Sequence, residues 1–306
     1  MTQHEIPLER RTLHGHFSRD LEPILTVEPG DSIVFACLNA GWRSATGEQF
    51  ESRVQGDERD AGHALVGPVE VRGARSGQTL EVRIDEVRIG SWGVTDAGGW
   101  HTPLNERLGV VDGPSAVLRW ELDADTAVGR DQAGREVHLG PFLGVIGMPP
   151  AEPGVHSTGP PRTCGGNIDC KELVAGTTLF LPIAVDEALV SAGDGHAAQG
   201  DGEVSQLAIE APIERAQLTL SVRDDLRLTT PIAWTPGAWL TFGFHEDLDE
   251  AAAVAIDAML ELMGRERGLE RREALALASV VVDLRVTQMV NGVRGIHARL
   301  AHDALR

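Results

Sequence analysis

Short runs of β-branched and alternating apolar residues, each bounded by a glycine or proline turn, fill the first two-thirds of the 306-residue chain. The clearest runs cover residues 24–27, 32–38, 68–71 and 79–84. Residues 30–34 and 77–82 repeat one device, in which a glycine-containing turn leads directly into a strand. Repeated turn-and-strand units without an intervening helical period are typical of a β-sandwich or jelly roll rather than of β-α-β units.

Helical periodicity is confined to the last third of the chain. Asp247 or Asp249 can cap a helix that ends near Gly268, with apolar residues at helical spacing between them. A second helix is predicted over residues 271–278, followed by a strand over residues 279–286. Further strands are predicted over residues 116–122, 136–139, 178–184, 203–209 and 217–222. Residues 141–163 are rich in glycine and proline and predict a long irregular segment, which in a compact domain is usually functional.

These patterns predict a mainly β fold with an α+β part: a jelly-roll-like β-sandwich or barrel with C-terminal helices packed on strands. No linker or low-complexity segment divides the chain, so residues 1–306 are expected to form a single unit. Within that unit, a β-rich subdomain of about residues 1–210 and an α+β subdomain of about residues 211–306 would pack closely together.

Acidic residues outnumber basic ones by 46 to 27, which gives a formal charge of −19. This charge repels nucleic acid and anionic lipid, leaves a neutral substrate unaffected and favours a divalent cation. No apolar run reaches the roughly 18 residues that a membrane span requires, and residues 1–11 lack the apolar stretch of a secretory signal. The expected location is therefore the cytoplasm, with neither nucleic acid nor membrane as a partner.

The cysteines are odd in number and irregularly spaced: Cys37, Cys164 and Cys170. This pattern argues against a disulfide framework and fits a reducing compartment. Five residues separate Cys164 from Cys170, which is not the spacing of a zinc knuckle, so a cysteine-based metal site is disfavoured.

The segment GDGHAAQGDGE (193–203) sets ionisable side chains among glycines. Asp194 and His196 are two residues apart, so an extended backbone would direct both side chains to one face. Glu203 would begin the next strand, with Asp201 beside it. An imidazole with carboxylates suits zinc, manganese or iron, and a catalytic ion keeps one position open for water. The alternative is a glycine-rich hairpin whose Asp and His side chains bond only to local backbone.

The segment CGGNIDCKEL (164–173) places Asn167, Asp169 and Lys171 at alternate positions. On a strand these three side chains would share a face, where they could coordinate a metal, hold a substrate carbonyl or shift one another's pKa. Lys171 is the only lysine in a chain that otherwise uses arginine, which favours a specific need for an ammonium group. The alternative is a turn that leads a strand into the core and has no further role.

The segments GGNIDCKEL (165–173) and GDGHAAQGDGE (193–203) resemble the two hallmark motifs of the acetamidase/formamidase family. Supporting similarity runs through PGD (29–31), HALVGPV (63–69), PFLGVIG (141–147) and DLRVTQMVN (283–291). The resemblance spans almost the whole chain, and it implies a β-rich enzyme that hydrolyses short-chain amides to a carboxylate and ammonia.

The resemblance further implies a homo-oligomer that acts on a small neutral amide, such as formamide or acetamide, with a divalent ion in its site. Zinc is the expected ion, with manganese, iron and calcium as alternatives. The implied site residues are the metal ligands Asp169, Asp194, His196 and His63 and the catalytic residues Glu203, Lys171 and Asn167. Glu203 would act as the general base toward the attacking water, and Lys171 or Asn167 would stabilise the oxyanion.

Two features depart from the family pattern and leave the choice of substrate open. Residues 92–107 match none of its segments, and Cys170 stands where threonine or serine is expected.

A second hypothesis is a cysteine-nucleophile amidase that uses Cys164 or Cys170 with Lys171 and Glu172 alongside. A third is a non-catalytic β-domain that binds a metal or a small molecule, since a fold does not determine a function.

Overall fold

The computed structural model describes residues 1–54 and 62–305, which form 21 β-strands, three α-helices and a short 3₁₀ helix at Arg10–Thr12. The first strands are β1 (Gln3–Ile6), β2 (Leu13–His14), β3 (His16–Phe17), β4 (Leu25–Val27), β5 (Ser32–Cys37), β6 (Leu65–Val71), β7 (Thr79–Ile89) and β8 (Trp92–Ala97). Helix α1 (Pro103–Leu108) precedes β9 (Ala116–Asp123), β10 (Val128–Asp131), β11 (Glu136–His138), β12 (Phe142–Gly147), β13 (His156–Ser157), β14 (Gly165–Asn167), β15 (Thr178–Pro182) and β16 (Val190–His196). The remaining elements are β17 (Ile213–Arg223), β18 (Ile232–Trp234), β19 (Ala238–His245), α2 (Leu248–Arg267), α3 (Arg271–Val281), β20 (Val282–Gln288) and β21 (Arg294–Ala301).

The largest sheet has nine strands in the order β1-β5-β17-β7-β15-β18-β19-β21-β20. Its longest pairing joins β7 and β17, which are antiparallel and 11 residues long each. Apolar residues alternate along β7, and Leu80, Val82 and Ile84 are fully buried on one face. This period of two directs one side of the sheet into the core and leaves charged side chains on the other.

A six-stranded sheet, which carries Asn167 on β14 and Asp194 and His196 on β16, contains β14-β12-β16-β6-β2 with β4 paired to β6. Strands β12 and β16 are buried at every residue. One apolar core combines side chains of the nine-stranded sheet, such as Phe35 and Leu218, with Val66 and Leu143 of the six-stranded sheet. The two sheets therefore pack face to face, as in a sandwich. Smaller sheets have the orders β11-β10-β9-β8 and β13-β3.

Helix α2 packs on the far end of the nine-stranded sheet and forms a second core there. Asp247 caps the helix by accepting hydrogen bonds from the backbone of Asp249 and Glu250, and Gly268 ends it in the left-handed conformation at φ 66°. Its buried face includes Ala251 and Ala255, which pack with side chains of β21 and α3. The mainly β fold class with C-terminal helices on strands is thus confirmed.

Replacing Gly243 of β19 with alanine is expected to destabilise the protein by about 1–3 kcal/mol, because the added methyl group overpacks the contact with α2. A Cβ at Gly243 would lie 1.9 Å from the carbonyl oxygen of Ala251 and 2.7 Å from the backbone nitrogen of Ala255. Thermal unfolding measures the effect. Gly237→Ala is the matched control, because its Cβ would meet no atom closer than 3.7 Å. Equal melting temperatures for the two variants would contradict this close packing.

Several local predictions were wrong. Residues 203–209 form turns rather than a strand, with Glu203 at φ 46° and Gln206 at φ 73°. The segment 141–163 is not irregular throughout, since it contains β12. Helix α3 extends to Val281, so β20 begins only at Val282. Strand β14 ends at Asn167, and the residues after it therefore do not alternate as a strand would.

The nine-stranded sheet draws strands from both sides of residue 210, with β1, β5, β7 and β15 before it and β17–β21 after it. The division into two subdomains stays a prediction. Within residues 1–54 and 62–305, no helix is both long and apolar enough to cross a membrane.

Candidate active site

Five buried ionisable side chains converge beside the six-stranded sheet. They are Asp169, Asp194, His196, Glu203 and Glu210, each at most 6% exposed, and we call them the site cluster. The ligand atoms of Asp169, His196 and Glu203 lie within 4.8 Å of one another, and so do those of Asp194, His196 and Glu210. His196 belongs to both groups and is therefore the centre of the cluster.

Strand β16 supplies Asp194 and His196, and the pairing around it brings in Glu210. His196 Nε2 lies 3.2 Å from Asp194 Oδ2 and 3.4 Å from Glu210 Oε1. Glu210 faces His196 across an antiparallel bridge, so the two side chains leave the sheet on one side. On the other neighbouring strand, β12, Phe142 pairs with His196, and the two rings meet edge-on at 5.0 Å. The imidazole is thus fixed by both neighbours.

Three of the four carboxylates sit on a left-handed backbone, with φ at 51° for Asp169, 61° for Asp194 and 46° for Glu203. Residues other than glycine seldom adopt this conformation, because Cβ then crowds the backbone. Such strain persists only where the surrounding structure imposes it, and it is concentrated at functional sites. The left-handed backbone at these three positions directs each side chain toward the cluster.

Gly144 of β12 leaves the space into which these side chains point. A Cβ at this position would lie 2.5 Å from Asp194 Oδ2, 2.7 Å from Asp169 Oδ1 and 3.0 Å from His196 Cε1. The backbone of Asp169 also donates to the Gly144 carbonyl at 3.2 Å. The site therefore requires a glycine here because a side chain would fill the point of convergence.

Gln199 determines which nitrogen of His196 faces the cluster. Its Nε2 donates to the carbonyl oxygen of Asp169 at 2.7 Å, so its Oε1 is the atom 3.0 Å from His196 Nδ1. Because Oε1 can only accept, Nδ1 carries the proton and Nε2 points at the carboxylates. A metal-binding histidine is oriented in the same way, with one nitrogen donating to a fixed acceptor and the other free to bind.

Asn291, on the turn between β20 and β21, holds the carboxylate of Asp169 from another side. Its Nδ2 donates to Asp169 Oδ2 at 2.7 Å. The other oxygen, Oδ1, has no hydrogen-bond partner among the residues that the structure describes. Asn291 thus fixes one oxygen of Asp169 and leaves the other available to the cluster.

The pKa values in the cluster are shifted because four carboxylates are buried close together. Burial and the neighbouring Glu203 raise the pKa of Asp169 well above its usual value. Burial also raises the pKa of Glu203, and Glu210 adds to the rise. Burial alone would lower the pKa of His196, but Glu210 and Asp194 raise it well above its usual value. The cluster therefore favours a positive charge at its centre.

The residues present fit a divalent metal ion. Within residues 1–54 and 62–305, four buried oxygens, one from each carboxylate of the cluster, lack a hydrogen-bond partner: Asp169 Oδ1, Asp194 Oδ1, Glu203 Oε2 and Glu210 Oε2. Buried polar atoms are normally satisfied, and buried charges are normally paired or bound to metal. Carboxylate oxygens with one imidazole nitrogen form a donor set that suits zinc, manganese or iron.

The other predicted site residues lie at varied distances from this cluster. His63 Nε2 is 4.0 Å from Asp194 Oδ2, and its Nδ1 is 2.9 Å from Thr158 Oγ1. Asn167 is buried and donates through Nδ2 to the Gly159 carbonyl at 3.0 Å, and no described residue partners its Oδ1. Lys171 is half-exposed and its Nζ forms an ion pair with Asp201 at 3.1 Å. The roles of all three stay predictions.

Glu210, Gln199 and Asn291 are contacts that the sequence prediction did not assign. Glu210 lies within the apolar run LAIEAPI (207–213), and a carboxylate in such a run is a signal of a buried functional charge. Gln199 and Asn291 lie within segments that carry the family resemblance, and that resemblance is the signal by which they could have been found.

The three cysteines are buried and free. Burial raises the pKa of Cys164 to about 11, that of Cys37 to about 12, and that of Cys170 further still. Cys164 Sγ donates to the carbonyl oxygen of Met148 at 3.2 Å. Because a thiol must ionise to act as a nucleophile, none of these environments favours that role.

Comparison with known proteins shows the family of the chain. Residues 2–156 and 151–232 match the model of the acetamidase/formamidase family. A putative formamidase of Schizosaccharomyces pombe is 23% identical over 304 aligned residues, which cover 78% of this chain and 74% of that protein. A formamidase of Methylophilus methylotrophus is 26% identical over 248 residues, which cover 63% of this chain and 60% of that protein.

The fold is also similar to that of a solved acetamidase structure. The crystal structure of an acetamidase from Bacillus halodurans superposes with a TM-score of 0.83 at 27% identity, and the match covers 97% of both chains. The family match, which extends to residue 232, includes both glycine-rich segments and all five residues of the site cluster. The chain therefore belongs to the acetamidase/formamidase family and is an amidase.

Proposed function

We propose that this amidase hydrolyses a short-chain aliphatic amide, such as formamide or acetamide, with the help of a divalent metal ion. The observation that carries the proposal is the convergence of four buried carboxylates, each with an unpartnered oxygen, on the imidazole of His196. Zinc is the proposed ion, with manganese, iron and calcium as alternatives, because the donors are oxygens and one nitrogen.

The proposed ligands are Asp169, Asp194 and His196, whose side chains converge at Gly144. Glu210 is added to them because its Oε1 lies 3.4 Å from His196 Nε2, and His63 remains an additional candidate. When bound, such an ion would lower the pKa of a water molecule and polarise the amide carbonyl. The strained backbone and Gln199 hold these side chains in place before substrate arrives.

Glu203 is the proposed general base. It lies beside Asp169 and His196, and burial raises its pKa toward the range in which a carboxylate accepts a proton effectively near neutral pH. Glu203 takes a proton from the attacking water and delivers one to the leaving nitrogen, so that ammonia departs from the tetrahedral intermediate.

Asn167 is proposed to orient the substrate. Its buried Oδ1 has no partner in the described part of the chain and can accept a hydrogen bond from the substrate amide, whereas its Nδ2 already donates to Gly159. Lys171 remains the candidate for oxyanion stabilisation. In this role its ammonium group would leave the ion pair with Asp201 and bind the oxyanion of the substrate.

A homo-oligomeric assembly is also proposed. Leu275, Val280 and Leu284 expose large apolar side chains on α3 and on the edge strand β20. Apolar residues grouped in this way are typical of a subunit interface. The net charge of −19 supports the expectation that no nucleic acid binds. The cytoplasmic location stays a prediction.

Removal of the metal tests the proposal. We expect dialysis against a chelator to lower ammonia release from acetamide by at least about 100-fold, because the ion contributes several kcal/mol to the transition state. Stoichiometric zinc or manganese should restore the activity and raise the melting temperature, since a ligand that binds only the folded state stabilises it. Elemental analysis verifies the metal content. Full activity in protein shown to be metal-free, with loss on cysteine alkylation, would instead support a thiol nucleophile.

A further inference from the structure

A cavity of about 440 Å³ lies between helix α1 and the segments that follow Glu203 and Gln288. Its apolar lining comes from Pro103, Leu104, Val204, Met289 and Val290. This volume is typical of pockets that bind drug-sized ligands, whereas acetamide is little larger than two water molecules. An amide no larger than acetamide would therefore leave most of the cavity unfilled.

Gln206 connects the walls of the cavity through hydrogen bonds. Its Oε1 accepts a hydrogen bond from Trp100 Nε1 at 2.8 Å, and its Nε2 donates to the carbonyl oxygen of Val290 at 3.3 Å. Its backbone nitrogen donates to the carbonyl oxygen of Glu203 at 2.9 Å. One side chain thus joins the α1 region, the turn after Glu203 and the turn between β20 and β21.

Two residues of the lining are neighbours in the chain of residues that belong to the site. Val204 follows Glu203 in the chain, and Val290 precedes Asn291, whose side chain donates to Asp169. Consecutive Cα atoms are about 3.8 Å apart. The lining is therefore one residue away from the proposed base and from the partner of a proposed ligand.

The lining leaves apolar surface open to solvent. Val204 is 63% exposed and Met289 is 38% exposed. Exposed large apolar side chains that meet in a concave site are typical of a surface that a ligand covers.

The charges of the lining differ in sign from those of the protein as a whole. Among the residues that the structure describes, Arg107 and Arg294 are the charged residues of the lining and no acidic side chain belongs to it, although the chain carries a net charge of −19. Neither arginine forms an ion pair with any residue that the structure describes, although Arg294 interacts electrostatically with Asp247. A cationic ligand would therefore meet two positive charges in this cavity.

We propose that this cavity, which we call the acyl pocket, binds the acyl chain of a neutral aliphatic amide longer than acetamide and disfavours amides with a cationic end. The inference rests on the amide hydrolysis proposed above and concerns the chain length that the site prefers. Burial of one methylene group corresponds to about a fourfold gain in binding. Helix α1 and its N-cap residue Thr102 supply one wall of this pocket.

The first test is a series of amides assayed with the metal-loaded enzyme. We expect kcat/KM to rise about fourfold per methylene from acetamide to butyramide and hexanamide, hence about 100-fold or more over the series. The cation 6-aminohexanamide should be at least about tenfold poorer than hexanamide, despite the net negative charge of the protein. A flat or falling series, or a preference for the cation, would overturn the proposal.

A variant that fills the pocket localises the effect. Val204→Trp is expected to lower the ratio of kcat/KM for hexanamide to that for acetamide by at least about tenfold, because the indole occupies the space of the chain. Val254→Trp is the matched control, since Val254 is an exposed valine of α2 outside the pocket. Equal ratios in the two variants would show that the chain binds elsewhere.

Binding of 1-hexanol separates this inference from the proposed function, because the alcohol carries the chain but cannot be hydrolysed. Titration calorimetry should detect binding to the wild type and to Val254→Trp, with at least about tenfold weaker binding to Val204→Trp. If hexanol binds in this pattern while every amide is inert, the pocket stands and the proposed function fails. If amides are hydrolysed but hexanol does not bind, the pocket is wrong.

Discussion

Replacing Gly144 with alanine is expected to lower kcat/KM for acetamide by at least about 100-fold, although the change removes no functional group. The added Cβ would lie 2.5 Å from Asp194 Oδ2 and 2.7 Å from Asp169 Oδ1, closer than van der Waals contact allows. These side chains are buried among the other members of the cluster and cannot turn away freely. A displacement of about 1 Å in a catalytic site can cost about 100-fold in rate.

Gly140→Ala is the matched control for this experiment. Gly140 precedes the same strand, and a Cβ there would meet no atom within 4 Å. We expect its activity and metal content to equal those of the wild type. The Gly144→Ala protein should fold, with a cost of about 1–3 kcal/mol for overpacking, but should bind less metal by elemental analysis. Wild-type activity and metal content in Gly144→Ala would contradict the convergence of the ligands at this point.

Replacing Glu203 with glutamine is expected to lower kcat for acetamide by about 10²- to 10⁴-fold, with little change in KM, because the variant keeps the shape of the site but loses its base. Glutamine cannot take the proton of the attacking water. Steady-state ammonia release at saturating substrate measures the effect, and elemental analysis verifies that the metal is retained.

The stability of the same variant provides a second test of Glu203. Burial raises the pKa of Glu203 above its value in the unfolded chain, so the favourable contribution of its protonated form is present at low pH and is lost as the pH rises through the folded pKa. Metal-free Glu203→Gln should therefore melt at a higher temperature than the metal-free wild type at pH 8. Unchanged kcat would remove Glu203 from the mechanism, and a lower melting temperature at pH 8 would show that its charge is compensated.

Much of the fold could be predicted from the sequence, namely those elements in which one face is buried and apolar residues therefore recur at a regular spacing. Helix α2 follows from its apolar spacing, from Asp247 at its start and from Gly268 at its end. Strand β7 follows from its alternation. Strand β12 was predicted to be irregular because glycine and proline surround it, yet it is buried on both faces and so shows no alternation.

The site could be predicted in part, because glycine-rich segments concentrate Asp169, Asp194 and His196 near one another in the chain. The expectation that alternate residues share a face failed after β14, where Asp169 takes a left-handed backbone. Glu210 reaches the cluster only through the pairing of its segment with β16. That pairing depends on tertiary structure, and no local pattern encodes it.

The strand order of the nine-stranded sheet has a consequence for synthesis of the protein. Strand β17 lies between β5 and β7 in the sheet, but residues 213–223 are synthesised after both of these strands. Strands β5 and β7 therefore cannot pair with β17 until that later segment has been made. Asn291, which holds Asp169, is translated later still. Contacts between residues so distant in sequence slow folding and prolong the exposure of apolar strands. A nascent chain that carries both glycine-rich segments therefore still lacks the contacts that assemble them into a site.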